Sequence, residues 1–256
     1  FKYLIYTQES LKLKYLERKY INTFDKITLF NIKDAEKILN SIKINKLQMH
    51  PLKPYLKINQ YKKILFEIKD LKFIYLLGNF KYWSNLVSLK EFINFLATNN
   101  LLLKEFLYDK NLKFNILGFM NPSDRKLLQN SLKNKNLNSF VQISNPINNY
   151  EDLKKDGLST ISYVKTSYGR QTKDFDSLNL MLPILRYQNK NLNSGLSNIY
   201  KGLSFYKIFS THRQLIAHLN NLLNKKKLLF IKKDILNQMI DEIKFKEKFY
   251  ENLLNH

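Results

Sequence analysis

One segment constrains this chain more than any other. Leu71 to Leu77 (LKFIYLL) is apolar at every position except Lys72, and Gly78-Asn79 closes it. A short run that is apolar on both of its alternating faces reads as a strand covered on both sides, as central strands of layered sheets are. Its neighbours carry helical periodicity. Ile58, Tyr61, Leu65 and Ile68 precede it at helical spacing, and Leu86, Leu89, Ile93 and Leu96 follow it in a helix expected over 84–98.

Further upstream, Leu13, Leu16, Tyr20 and Phe24 share one face of a helix expected over 9–24. Ile27 to Phe30 reads as a short strand. Asn31 is placed to cap a helix carrying Ile32, Ala35, Ile38, Leu39 and Ile42. Lys46 to Leu52 reads as a second strand, closed by Pro51 and Pro54. Downstream, Leu101–Tyr108 and Leu112–Phe119 read as two strands of a hairpin turning at Asp109-Lys110. Asn121-Pro122 opens a short helix with proline at its first position. Alternation of this kind predicts an α/β fold, with helices packed against one sheet. The expected organisation is an α/β domain over 1–135, a loosely structured connector or extension over 136–202, and a helical region over 203–256. No element is read between 150 and 200. Helices are expected over 206–223 and 231–254, separated by Lys225-Lys226-Lys227.

Composition bears on partners. The net charge is +22 over 256 residues, and only five of 43 basic residues are arginine. Lysine and asparagine in that excess over arginine and alanine reflect an AT-rich coding genome, such as that of an organelle, a plastid-like relic or an AT-biased microbe. The charge has its own consequence, because so positive a field attracts polyanions and releases their counterions. Any single lysine is still more simply a solvated surface residue. The 44% hydrophobic content argues against disorder. No apolar run reaches the roughly 18 residues of a membrane span. With no cysteine, disulfides, thiolate zinc sites and thiol catalysis are excluded. No secretory signal peptide is expected.

Four stretches resemble a known family. "ITLFNIKDAEKILNSIKINKLQMHPLKPYL" is similar to a strand, helix and second strand of the large-subunit ribosomal stalk-base proteins, the L-ten or P-zero family. "LKFIYLLGN" resembles that family's third strand. "LVSLKEFINFLATNNLLLKEF" resembles its next helix and strand, with Lys90, Glu91 and Phe92 at a recurring Lys-Glu-Phe. "NPSDRKLLQNSL" falls where the family has a short helix. The resemblance covers about residues 8–135 and is of the mitochondrial type. At the motif facing nucleic acid, Lys53 and Leu56 match. Pro54 and Tyr55 replace an asparagine and a threonine, so the contacts of those two side chains do not carry over.

The resemblance implies a non-enzymatic constituent of a mitochondrial ribosome in the matrix, bound to large-subunit ribosomal RNA beside neighbouring ribosomal proteins. The expected RNA-binding residues are Lys12, Arg18, Lys19, Lys53, Lys57, Lys62 and Lys63, acting on phosphates. In that family the last helix docks acidic stalk-protein dimers. The corresponding stripe here is Ile231, Ile235, Leu236, Met239, Ile240 and Ile243, flanked by Lys232, Lys233 and Lys244. Its plainer reading is packing on the chain's own core. Another organellar ribosomal protein with a lineage-specific extension, or a soluble accessory subunit of a respiratory complex, fits the same composition.

Signals for chemistry are sparse. His50, His212, His218 and His256 lack the spacing of paired ligands on one helix face, and no cofactor or metal is expected. There is no Gly-rich phosphate loop and no Gly-x-Ser-x-Gly elbow. Ser167 to Gln171 (SYGRQ) is the most motif-like polar cluster, though a plain turn explains it.

Overall fold

The structure is a computed structural model that describes residues 11–12, 15–16, 27–29, 47–49, 57–65, 71–145, 153–163, 172–188, 200 and 202–254. The chain divides into two compact units, one made mostly of Phe1–Pro51 and the other of Leu52–Ser167 with Gln171–His256. In the first, β1 (Ile27–Leu29) pairs in parallel with β2 (Leu47–Met49). Leu11, Lys12, Tyr15 and Leu16 are helical. The helix expected from Asn31 lies outside the described residues.

Among the described residues the second unit has six strands: β3 (Phe73–Leu77), β4 (Lys113–Leu117), β5 (Val141–Ser144), β6 (Gly157–Ser162), β7 (Ile184–Tyr187) and β8 (Tyr206–Phe209). They lie in the order β5-β4-β3-β6-β7-β8, and every pairing is parallel. The winding runs outward from β3 in one direction, returns to β6 and runs outward in the other. That is the doubly wound order of open α/β sheets. Its strands come from both sides of residue 135. The described helices are α1 (Ile58–Leu65), α2 (Trp83–Ala97), α3 (Leu101–Asp109), α4 (Pro122–Asn134), α5 (Leu153–Asp156), α6 (Thr172–Asn179), α7 (His212–Leu223) and α8 (Lys225–Leu254).

Both faces of the sheet are covered, which is why β3 is apolar throughout. Ile74 and Leu76 pack with Leu89, Phe92 and Ile93 of α2, Leu103 and Leu107 of α3, and Leu215 and Leu219 of α7. Tyr75 and Leu77 point the other way and pack with Leu117, Leu153, Leu180 and Leu182. A further cluster joins Tyr61 of α1, Phe175 and Leu178 of α6, Ile184 of β7, and Ile235 and Met239 of α8.

The α/β class, its helices on the sheet and its C-terminal helices are as the sequence predicts. Pro122 does open its helix. Four local readings change. Leu101–Asp109 is helix, so no hairpin forms at Asp109-Lys110, and β4 instead pairs in parallel with β3. The connector and the unassigned stretch hold β5, α5, β6, α6 and β7. Tyr206–Phe209 is the edge strand β8, and Lys225-Lys226-Lys227 opens α8 rather than separating two helices.

Helix α7 starts at a side-chain cap. Thr211 accepts a hydrogen bond from the Gln214 backbone N–H at 3.2 Å, while the Gln214 carboxamide accepts from the Ser210 N–H at 2.8 Å. Thr211→Ala is expected to cost about 1 kcal/mol. Chemical denaturation would check this; an unchanged midpoint would mean that Gln214 alone secures the start.

Candidate functional site

In doubly wound sheets the winding reverses between two central strands, and ligands bind outside the carboxyl ends of the strands at that point. Here the reversal falls between β3 and β6. The floor of the crevice is close-packed backbone. The Gly78 N–H donates to the Leu117 carbonyl at 3.1 Å, and the Phe80 N–H donates to that of Phe119 at 2.7 Å. Gly118 sits at φ +154°, and a Cβ there would stand 1.6 Å from the Gly78 carbonyl oxygen. Tyr163 follows β6 directly and donates its hydroxyl to the Leu77 carbonyl at 3.1 Å. Burial pushes that phenol well above its ordinary range, so it remains a donor. Phe80 stacks on the Tyr163 ring at 6.4 Å.

Two helices begin at this end of the sheet. Helix α2 leaves β3 at Trp83, and its N-cap residue Tyr82 makes no side-chain cap hydrogen bond. Helix α6 precedes β7 and carries Lys173 in its first turn. The Lys173 Nζ donates to Asn85 Oδ1, in the first turn of α2, at 2.8 Å. It also lies 5.1 Å from the centroid of the Tyr163 ring. Burial pulls this amine down to about 8; nearby Asp174 opposes the shift, Arg186 reinforces it and Asp176 opposes it.

Arg186 is the second cation. It lies on β7, 7% exposed, and donates to Ser162 Oγ at 2.8 Å. Ser162 and Arg186 are register partners, so their side chains share one face of the sheet. Two residues back along β6, Thr160 donates to Ser177 Oγ at 2.7 Å, which fixes α6 over that face. On the loops after β3 and β4 and at the start of α2, Tyr82, Phe119 and Trp83 are exposed, with the Lys81 amine 5.9 Å from the Phe119 centroid.

None of the residues expected from the sequence is among those described at this end of the sheet. Lys12 is exposed on its own helix, and Lys57, Lys62 and Lys63 are exposed on or beside α1. The Tyr61 hydroxyl ties α1 to Asn179, at the opposite end of α6 from Lys173. Arg18, Lys19, Lys53 and Ser167–Gln171 lie outside the described residues, as do His50 and His256. The apolar stripe of α8 is core. Ile235 and Met239 have no exposed surface, Leu236 is buried, and Ile231, Ile240 and Ile243 pack against the same cluster. Lys232, expected beside a docking rail, is itself buried. The ring nitrogens of His212 face the carbonyls of Phe95 at 2.9 Å and Asn99 at 3.3 Å, tying α7 to the end of α2. Among the described residues no cluster of His, Cys, Asp and Glu is arranged to hold a metal. No described helix is long and apolar enough to cross a membrane.

A fold of this kind defines a doubly wound α/β protein, a class in which ligands bind at the switch point. Comparison with solved structures is more specific. The chain superposes on a mutant of S. aureus TarM in complex with fondaparinux, alpha-GlcNAc-glycerol and UDP, with a TM-score of 0.66 and 14% identity over 95% of this chain and 46% of that one. It matches a glycosyltransferase from Rickettsia africae at TM-score 0.64 and 12% identity, over 93% of this chain and 67% of that one. Anabaena HepE in complex with UDP and glucose matches at 0.63 and 10%, over 94% of this chain and 66% of that one. The fold is that of GT-B glycosyltransferases. The chain spans about half to two thirds of the length of these proteins. No family model and no curated protein sequence matches it.

This fold overturns the stalk-base resemblance. With it fall the ribosomal, non-enzymatic role and the expected partners, namely ribosomal RNA, neighbouring ribosomal proteins and acidic stalk dimers. The physical reason is that helix–strand alternation is common to many α/β folds, and short matches along it do not fix strand order. The lysine excess then supplied an RNA signal that the fold does not support.

Proposed function

We propose that this chain provides the donor-binding part of a glycosyltransferase, holding the diphosphate of a nucleotide sugar in the crevice between β3 and β6. One observation carries the reading: two cations, Lys173 and the buried Arg186, are gathered at the switch point of a glycosyltransferase fold. The neighbouring TarM and HepE structures contain UDP, which makes a uridine diphosphate sugar the first donor to try. In the crevice, the dipoles of α2 and α6 add to the two side-chain cations in stabilising negative charge. The same field would stabilise the diphosphate as it departs from the sugar, the step at which charge develops in glycosyl transfer. Tyr163, kept protonated, supports the floor rather than moving protons.

Calorimetric titration of the chain with UDP, supported by shifts in the NMR signals of residues near Lys173, tests the reading. Saturable binding with shifts confined to the ends of β3 and β6 is expected. Binding that shifts only residues on α1 or the outer face of α8 would reject this crevice as the donor site.

A further inference from the structure

Lys173 stands out within the crevice because its anchors are weak for a lysine so enclosed. Among the described residues its amine hydrogen-bonds to a neutral carboxamide, Asn85 Oδ1, and rests over the face of the Tyr163 ring. A carboxamide oxygen and a ring face each hold an ammonium less firmly than a charge-assisted pair does. Arg186, by contrast, is fixed. It is buried on β7 and bonded to Ser162 of the adjacent strand. A fixed cation beside a loosely held one of the same sign is an arrangement that an incoming anion relaxes.

Resting on the donor-site reading above, we propose that Lys173 is the residue by which this crevice selects a diphosphate over a monophosphate, its amine leaving Asn85 to meet the terminal phosphate. A lysine is suited to this because its ammonium acts as a point charge on a flexible stem, whereas Arg186 keeps its planar contact. The choice is also linked to protons. The groups bearing on the amine are Asp174 and Asp176 of α6, Arg186 of β7, Asn85 of α2 and the Tyr163 ring. Their balance, with burial, leaves the amine titrating near 8. A phosphate beside it favours the charged form and raises that value, so binding takes up a proton above about pH 8. Preference for the diphosphate is therefore full below pH 8 and declines as the pH rises through it.

The test compares UDP with UMP on the whole chain by calorimetry at about pH 7 and about pH 9. The parent is expected to prefer UDP by on the order of tenfold at the lower pH, and by less at the higher. Lys173→Met should bind the two nucleotides alike at both values, and Lys173→Arg should keep the preference at the higher pH. Asn85→Asp, a change at the crevice edge that gives the amine a carboxylate to stay with, should weaken UDP more than UMP and so narrow the preference. It decides the matter if Lys173→Met does not fold. A parent that binds both nucleotides without distinction overturns the role of Lys173 while leaving the donor site standing. So does a Lys173→Met variant that keeps the preference, or a folded Asn85→Asp variant that binds UDP as the parent does. A parent that binds neither nucleotide overturns the donor-site reading, and this one with it.

Discussion

Replacing Lys232 with methionine should make the protein markedly more stable. Lys232 lies on the inward face of α8, one turn from Leu228 and one from Leu236, and is 1% exposed. Among the described residues its amine has no hydrogen-bond partner. Burial pulls the group from its ordinary value of 10.5 down to about 8. Taken as a difference between folded and unfolded chains, that shift corresponds to a penalty of about 3 kcal/mol when the amine is charged in both. The sign follows from proton counting. Between about pH 8 and 10.5 the unfolded chain holds the proton that the folded chain has released, so stability rises with pH across that window. Below about pH 8 the full penalty is present. Methionine matches the stem in length and carries no charge into the core. Lys232→Met should therefore gain about 3 kcal/mol at neutral pH, or roughly 10 °C in melting temperature. Its stability should also rise less between pH 8 and 10.5 than the parent's. Lys173 keeps its own depressed value, so the dependence shrinks without vanishing. Thermal melts at several pH values measure both effects. A variant no more stable than the parent at neutral pH would show that water or a partner reaches the amine.

The sequence reveals the parts of this fold where side-chain chemistry and burial agree. β3 is apolar on both faces because helices cover both, and α2 after it keeps its apolar spacing intact. The centre of the sheet is less legible. All of β6 is buried, yet Ser159, Thr160 and Ser162 give it the composition of a loop. Thr160 and Ser162 are admitted to that position by hydrogen bonds to Ser177 and Arg186, residues far along the chain that no local pattern announces. α3 fails in the opposite way. Leu101 and Leu102 are exposed while Leu103 and Leu107 are buried, so an apolar run that reads as strand is a helix with greasy residues facing out. The candidate site fell into the same gap. Lys173 and Arg186 both lie in the stretch 150–200, where the sequence pattern defines no element. The signal available was Arg186 itself, a charge inside the apolar run LMLPILRY. A cation embedded in a short buried strand needs a partner, and such residues gather at functional sites. The α8 stripe shows the limit on the partner side. Its helical spacing is plain, but what covers it is Tyr61, Phe175 and Met181, three residues remote in sequence.

Gly118→Ala should have the largest destabilising effect of any single methyl added at the crevice. The loops after β3 and β4 approach each other backbone to backbone, joined by the hydrogen bonds from Gly78 to Leu117 and from Phe80 to Phe119. A Cβ on Gly118 would meet the Gly78 carbonyl oxygen at 1.6 Å and its carbonyl carbon at 2.8 Å. Neither is the tip of a flexible side chain that could swing away. The φ of +154° adds conformational strain for any residue with a Cβ. Relief requires the two loops to part, which breaks both hydrogen bonds and lifts Gly78 away from Tyr163. Gly78 has little freedom there, since a Cβ on it would come within 2.8 Å of the Tyr163 hydroxyl. The expected cost is on the order of 4 kcal/mol, in the range reserved for buried strain and broken networks. UDP binding should weaken with it, because the floor beneath Lys173 would no longer be fixed. Gly202→Ala is the control. Gly202 also has a positive φ, +96°, but among the described residues nothing lies within 4 Å of its added Cβ. It should cost only about 1 kcal/mol, from backbone strain alone, and leave nucleotide binding intact. Denaturant titration of both variants separates steric clash from strain. Equal losses would mean that the close approach of Gly118 to Gly78 contributes nothing, and that the crevice floor is not set by these two glycines.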